Sequence, residues 1–554
     1  MKSNEKLKPK LFSVMKNYSK EQFVKDLVAG IIVAIIALPL SIALALASGV
    51  TPEKGIYTAI VAGFVISFLG GSRVQIAGPT AAFATIVAGI VAKEGMDGLV
   101  LATILAGIIL VLLGLFRLGS LIKYIPYTIT TGFTAGIAVT IFIGQIKDFM
   151  GLTIISDEPL IETGDKVKGI FSSLDTTNVS ALIVGFVCLL VLIIWNYVPG
   201  KLKKIPGSLI AVFVGIIMVK GFGMKVNTIG DLYSISNKLP SLTLPVITKD
   251  GILSALPNAF TIAVLAAIES LLSAVVADGM IGSKHRSNQE LIAQGAGNIA
   301  SALFGGIPAT GAIARTAANI KNGGRTPIAG MVHAVVLLLV LVVLMPYAAL
   351  IPMPTIAAIL FMVAYNMSGW RTFAHLLKTA SVFDNLILLV TFVLTVCFDL
   401  VVAIGVGLVL TCVLFMKRMS DLTEVNEWTY VDEENDPDSM SLKEVPPHTY
   451  VYEISGPMFF GASNKLFDIV SDENDTCIIL RMRSVNVLDA TALHTLEQIK
   501  ETCDKKNIKL ILSHVNDQPL KAMEKAGFDK KIGNENICKH IDDALERAYE
   551  INSI

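Results

Sequence analysis

Gly70-Gly71-Ser72-Arg73-Val74-Gln75-Ile76-Ala77-Gly78-Pro79-Thr80-Ala81-Ala82 interrupts one long apolar stretch of this chain. Gly305-Gly306-Ile307-Pro308-Ala309-Thr310-Gly311-Ala312 interrupts another, with Pro308 lying 229 residues after Pro79. Proline and clustered glycine leave backbone groups unsatisfied in a lipid-facing helix. When each half of a membrane protein carries such a break at a matching place, the two face each other near the bilayer midplane and form a transport site. The spacing therefore predicts a secondary transporter.

Composition agrees. Of 554 residues, 53% are hydrophobic and 16% charged, and the mean hydropathy is +0.67. A soluble protein carries about a quarter charged residues. The formal net charge is zero and there is no basic stripe, which argues against a nucleic-acid partner. Six cysteines (188, 397, 412, 477, 503 and 538) show neither CxxC pairing nor metal-ligand spacing, so free thiols are expected.

Apolar runs fall near 27–48, 55–70, 80–92, 97–116, 127–147, 179–197, 206–222, 253–277, 289–304, 311–320, 327–344, 353–367, 381–397 and 400–416. Read as crossings, they number fourteen and return the chain to the side where it began. Arg117 and Lys123, then Lys201, Lys203 and Lys204, Lys284 and Arg286, Lys321 and Arg325, and Arg371 and Lys378 fall in the loops on that side. The loop at 148–178 on the other side carries Asp157, Glu158, Glu162, Asp165 and Asp175. This is the positive-inside pattern, and it puts both termini in the cytoplasm, with the protein in the plasma membrane. Pro126 and Pro354, 228 residues apart, open corresponding crossings. Seven crossings per repeat is odd, so the second copy is expected to be inverted.

The chain divides into a cytoplasmic segment at 1–26, a transmembrane domain at 27–418, a linker at 419–447 with an acidic run at 432–438, and a small α/β domain at 448–554. In that last domain, strands are expected at Thr449–Ser455, Thr476–Met482 and Lys509–Ser513. Helices are expected at Ala462–Val470, Thr491–Lys505, Pro519–Ala526 and Ile541–Glu550. No nucleotide-binding loop appears, so an ATPase, or any other enzyme, is not expected.

A half-helix starting at mid-membrane aims free N–H groups and a positive dipole end into the protein. Two such starts make an anion pocket, with Thr80, Ala81, Gly311 and Ala312 as the candidate lining. Arg315, one turn past Gly311, deepens the positive field unless it snorkels to the surface. Pro39 breaks the first crossing, which brings Leu40, Ser41, Ala43 and Leu44 into the same cavity. Glu269 stands in an apolar run, where a buried carboxylate is a functional candidate by default; we read it as the proton carrier, with Ser273 one turn on. His333 reads as a hydrogen-bonded packing residue. Ser287-Asn288-Gln289-Glu290 reads as a capping box without chemistry.

At Gly78-Pro79-Thr80-Ala81, Ile268-Glu269-Ser270-Leu271-Leu272, Asn288-Gln289-Glu290-Leu291, Phe304-Gly305-Gly306-Ile307-Pro308, Ala314-Arg315-Thr316 and Gly324-Arg325-Thr326-Pro327 the chain resembles the SulP anion transporters, solute carrier family 26. Its tail resembles their STAS domain. Gln145-Ile146-Lys147-Asp148-Phe149, Asp278-Gly279-Met280 and Asn366-Met367-Ser368 are most similar to the bacterial DauA-type branch, associated with C4-dicarboxylates. The resemblance implies fourteen helices split into core and gate domains like those of nucleobase transporters, an elevator motion and a homodimer. It also implies substrate between the third and tenth helices, beside the first and eighth. Sodium-coupled bicarbonate carriers of the family have Asp where this chain has Glu269, and Thr where it has Ile313. Na⁺ needs several oxygen ligands, so the departure favours protons as coupling ion, with no other cofactor. In the tail, Asp489-Ala490-Thr491-Ala492 matches the phosphorylation site of anti-sigma antagonists. Thr491 stands at the serine, Asp489 reads as a helix N-cap, and a cytoplasmic protein partner is implied.

The expectation is a proton-coupled carrier of sulfate or of a C4-dicarboxylate such as succinate or fumarate. Alternatives are a sodium-coupled bicarbonate carrier, an anion channel using the same pocket, and a membrane sensor whose tail is the output.

Overall fold

The computed structural model describes residues 7–120, 125–155, 162–195, 197–199, 205–245, 248–398, 400–427, 444–461 and 476–553. Lys123, Lys201, Lys203, Lys204, Asp157, Glu158, the acidic run at 432–438 and the expected helix at 462–470 lie outside them. Compactness divides the chain between Leu408 and Val409.

The first unit is helical. A short α1 (Lys10–Val14) precedes α2 (Lys20–Ala47) and α3 (Pro52–Leu69). The strand β1 (Ala77–Gly78) leads into α4 (Ala81–Leu115), which is two helices joined at Gly95, whose φ of 70° no helix interior accommodates. Next come α5 (Tyr127–Met150), α6 (Thr163–Ser172), α7 (Val179–Trp195), α8 (Gly207–Ile216, extended by a π turn to Gly221) and the single turn α9 (Ile229–Leu232). Helices α10 (Lys249–Ile281) and α11 (Ser287–Leu303) lead to β2 (Thr310–Gly311) and the short α12 (Ile313–Lys321). The unit continues through α13 (Ile328–Ala348), α14 (Met353–Ser368), α15 (Trp370–Thr379), α16 (Val382–Cys397) and α17 (Leu400–Asp421), whose last turns group with the second unit.

Every predicted apolar run lies on a helix. Among the described residues eight helical spans are long and apolar enough to cross a bilayer, α14 and α15 counting together as one, and α7, α8 with its π turn, and α16 are shorter apolar helices. The nine residues of α12 rise about 14 Å, half the hydrocarbon core. Pro126 is the N-cap of α5 and Pro354 stands in the first turn of α14, as read from sequence. Pro39 is a correction: α2 passes through it unbroken, because neighbouring packing tolerates a proline inside a membrane helix. The helices α6 and α15 were not foreseen, since both lie in segments read as loops.

The second unit is a five-stranded sheet in the order β3-β4-β5-β6-β7, formed by Glu424–Glu427, Thr449–Ser455, Cys477–Ser484, Lys509–Ser513 and Ile537–Cys538. β3 is antiparallel to β4 and the remaining pairs are parallel. Helices α18 (Ala490–Lys505), α19 (Asp517–Ala526), α20 (Phe528–Ile532) and α21 (Ile541–Asn552) complete it. One core, including Leu480, Leu496, Leu512, Met523 and Phe528, lies on one face; Ile479, Ile511 and Leu545 belong to a second. A sheet covered on both faces has apolar inner strands, which is why β4, β5 and β6 were legible in the sequence. β3 corrects the reading of 419–447 as linker throughout. Its four residues, Glu-Val-Asn-Glu, are strand only because β4 pairs with them.

Candidate functional site

The two breaks meet. β1 pairs antiparallel with β2, Ala77 opposite Gly311 and Gly78 opposite Thr310, and the Ala312 N–H donates to the Ile76 carbonyl at 2.8 Å. A helix begins directly after each strand: α4 with Thr80 as N-cap, α12 with Ala312. Neither start has a side-chain cap, so first-turn N–H groups of both face the space around the paired strands.

Arg315 occupies that space from α12. It is 3% exposed, so it does not snorkel. Its Nη2 donates to the Pro79 carbonyl at 3.1 Å and to Ser41 Oγ of α2 at 3.4 Å, and its Nη1 has no partner. No carboxylate among the described residues pairs with it. Gly78 makes room, since a Cβ there would collide with Nη1. Glu269, on α10, accepts from Thr80 Oγ1 at 3.0 Å and thereby touches the start of α4. Leu40 is half-buried and Leu44 buried on α2, on either side of Ser41; Ala81 and Gly311 are buried and Ala312 half-buried. Ser273 does not join Glu269: its hydroxyl lies 3.5 Å from Thr316 Oγ1, which itself accepts from the Ile76 N–H at 3.0 Å.

Sequence reasoning missed the residues that hold the breaks in place. Ser270 fastens β2 to α10, with its Oγ accepting from the Gly311 N–H at 3.1 Å and lying 2.6 Å from Thr310 Oγ1. Glu290 caps nothing in its own helix; α11 has Arg286 as N-cap and no side-chain cap. Its buried carboxylate instead accepts the N–H groups of Gly71 and Ser72 at 2.8 and 2.9 Å, donors that the first break leaves without helical partners. Asn298 does the same for the second break through both the N–H and the carbonyl of Ala309, aided by Ser301 and Thr58 at Ile307. Glu290, Gln294 and Asn298 recur every four residues, a buried polar stripe along one side of α11. Asp26 is a further hub, accepting from Gln22, Tyr18, Thr326 and the Arg325 N–H. His333 is buried as expected, but neither ring nitrogen has a hydrogen-bond partner among the described residues; its ring faces Gly63 of α3, which carries no side chain.

In the second unit, Asp489 Oδ1 accepts from the Ala492 N–H and Oδ2 from the Phe460 N–H, both at 2.9 Å, so it is the N-cap of α18. Thr491 is exposed in the first turn.

Uncapped half-helices and an unpaired guanidinium in an apolar helical bundle define a membrane carrier for anions. The chain belongs to the sulfate permease family, whose profile matches residues 23–391, and a STAS domain profile matches residues 440–544. It is 42% identical to the Bacillus subtilis protein named "Putative sulfate transporter YvdB", over 95% of this chain and 98% of that one. It is 30% identical to the bicarbonate transporter BicA of Picosynechococcus, over 94% of both. Its fold matches that of SLC26A9 with a TM-score of 0.86, over 98% of this chain and 92% of that one at 19% identity. It also matches the transmembrane domain of a cyanobacterial BicA with a TM-score of 0.62, over 71% of this chain and 98% of that one at 28% identity. It is a transporter and not an enzyme.

Proposed function

We propose that this protein is a secondary active transporter of a small inorganic anion, with sulfate as first candidate and the proton as coupling ion, in the plasma membrane. The observation that carries the reading is Arg315, a buried guanidinium with a free Nη1 and no carboxylate, placed where two uncapped helix starts meet. Isolating such a charge from water costs several kcal/mol, and an anion arriving with its own charge offsets that cost. Thr80, Ala81, Gly311, Ala312 and Arg315 form the anion site, with Ser41, Leu40 and Leu44 as its wall on α2. Glu269 carries the proton, and its bond to Thr80 links proton and anion through the start of α4. The antiparallel meeting of β1 and β2 supports an inverted repeat of seven crossings each, and positive loops support cytoplasmic termini. We take the working form to be a homodimer.

Similarity to BicA supports a second reading, sodium-coupled bicarbonate transport. Ile313, which supplies no oxygen beside the anion site, weighs against sodium. YvdB is named for sulfate and BicA for bicarbonate, and we rank a C4-dicarboxylate third.

The test is uptake by purified protein in liposomes, using labelled sulfate, bicarbonate, succinate and fumarate under imposed pH or Na⁺ gradients. Saturable sulfate accumulation driven by a pH gradient is expected. Accumulation driven by Na⁺ alone would replace this reading with the second, and non-saturating current would make the protein a channel.

A further inference from the structure

A cavity of about 440 Å³ lies at the end of the first unit away from the N-terminal segment, between the first half of α4 and α5, α6, α10, α16 and α17. It shares two helices with the anion site. Thr85, in its wall, is one turn beyond Ala81 on α4; Thr261, also in its wall, is eight residues before Glu269 on α10, about 12 Å along the helix. The cavity thus lies over the site.

Its charges are unequally engaged. Glu94 accepts from Asn258 Nδ2 at 2.9 Å and so braces the Gly95 bend against α10. Glu162 is exposed at the N-cap of α6. Asp165, in the same helix, faces Lys168 at 3.8 Å. Lys166 is half-buried in the cavity wall, and Lys93 stands at the end of the first half of α4; neither has an ion-pair partner among the described residues. Burial lowers the Lys166 ammonium below the usual lysine range, as expected of a cation short of solvation. Thr85 adds a hydroxyl to the same wall, while the hydroxyls of Thr140 and Thr261 donate to the Ile137 and Pro257 carbonyls of their own helices at 2.8 Å.

We propose that this cavity is a loading site for the transported anion on the outer face, in which Lys166 and Lys93 capture the ion before it reaches Arg315. The proposal rests on the transport reading above. A charge at the mouth acts on capture rather than on the later translocation step.

The test is initial-rate uptake of external sulfate by the full-length protein in right-side-out vesicles. Lys166→Gln is expected to raise KM by about threefold or more with kcat retained, and to flatten the dependence of KM on ionic strength. Lys166→Arg is expected to behave like the parent. Should Lys166→Gln fail to reach the membrane, Cys397 provides a second measurement, because it is exposed and lines the cavity. In Cys412→Ser protein, a membrane-impermeant anionic thiol reagent is expected to raise KM more than a cationic reagent of equal size. Burial pushes the thiols of Cys477 and Cys503 up to about 11, which keeps them unreactive. Normal parental uptake with KM unmoved in Lys166→Gln, or equal effects of both labels, would overturn the loading site and leave the transport reading intact. A parent that takes up no anion would overturn both.

Discussion

Arg315 and Glu269 were legible because ionisable side chains are conspicuous in apolar helices. Thr80 and Ser41 were legible as lining, but their pairings were not, since Thr80 meets Glu269 from 189 residues away and Ser41 meets Arg315 from 274. Glu290 was misread for the same reason: its spacing fits a cap, but the donors it satisfies come from a distant break. The geometry gives two expected outcomes. Arg315→Ala removes the unpaired cation and is expected to weaken sulfate binding by about thirtyfold, roughly 2 kcal/mol, measured by calorimetry on detergent-purified protein. A divalent anion is expected to lose more than a monovalent one, as Coulomb attraction scales with charge; equal losses would remove Arg315 from the site. Arg315→Lys keeps the charge, but a single ammonium cannot reproduce the guanidinium that reaches Pro79 and Ser41 together, so recovery is expected to be partial. Glu269→Gln keeps an acceptor for Thr80 and is expected to fold normally. It is expected to lose accumulation driven by a pH gradient in liposomes while retaining exchange of sulfate for sulfate, and accumulation at the parental rate would exclude Glu269 as the proton carrier.

At the scale of elements, proline and glycine made the breaks legible, and continuous apolar runs made the long helices legible. What escaped is what depends on contact: the polar stripe of α11, the loop helices α6 and α15, and the edge strand β3. Close approach of α2 and α3 is equally invisible in sequence. A Cβ on Gly55 of α3 would strike the Ser41 carbonyl of α2, at the residue that receives Arg315. Backbone cannot yield as a flexible side chain can, so Gly55→Ala is expected to force the helices apart. A loss of about 1–3 kcal/mol in stability is expected, together with weaker sulfate binding, although Gly55 touches no ligand. Thermal unfolding with and without sulfate checks both; a variant less stable but binding normally would show that Ser41 does not position Arg315. β3 allows a comparable test in the second unit. It pairs with β4 over four residues and packs Val425 against the core. A tail fragment beginning at Leu422 is expected to unfold at higher urea than one beginning at Glu444, which leaves the β4 edge open.

At the scale of the molecule, sequence composition located the change from membrane to soluble character, and the two profiles, at 23–391 and 440–544, fall on either side of it. It could not place the end of each unit, because α17 runs through the change as one helix. Each unit has its own core, and every proposed transport residue, from Leu40 to Arg315, belongs to the first. Separate cores predict separate unfolding. Protein ending after Asp421 is therefore expected to insert, remain helical by circular dichroism and bind sulfate with parental affinity. Transport is a different matter, since the rate includes any step in which the tail or its partner takes part, and that rate is expected to fall. The decisive measurement is calorimetric titration of the truncated protein in detergent. Parental affinity with slowed uptake would make the STAS unit a modulator of a complete carrier. Loss of binding with the helical signal intact would make the tail part of the anion site, and the arrangement around Arg315 would then be insufficient to hold an anion.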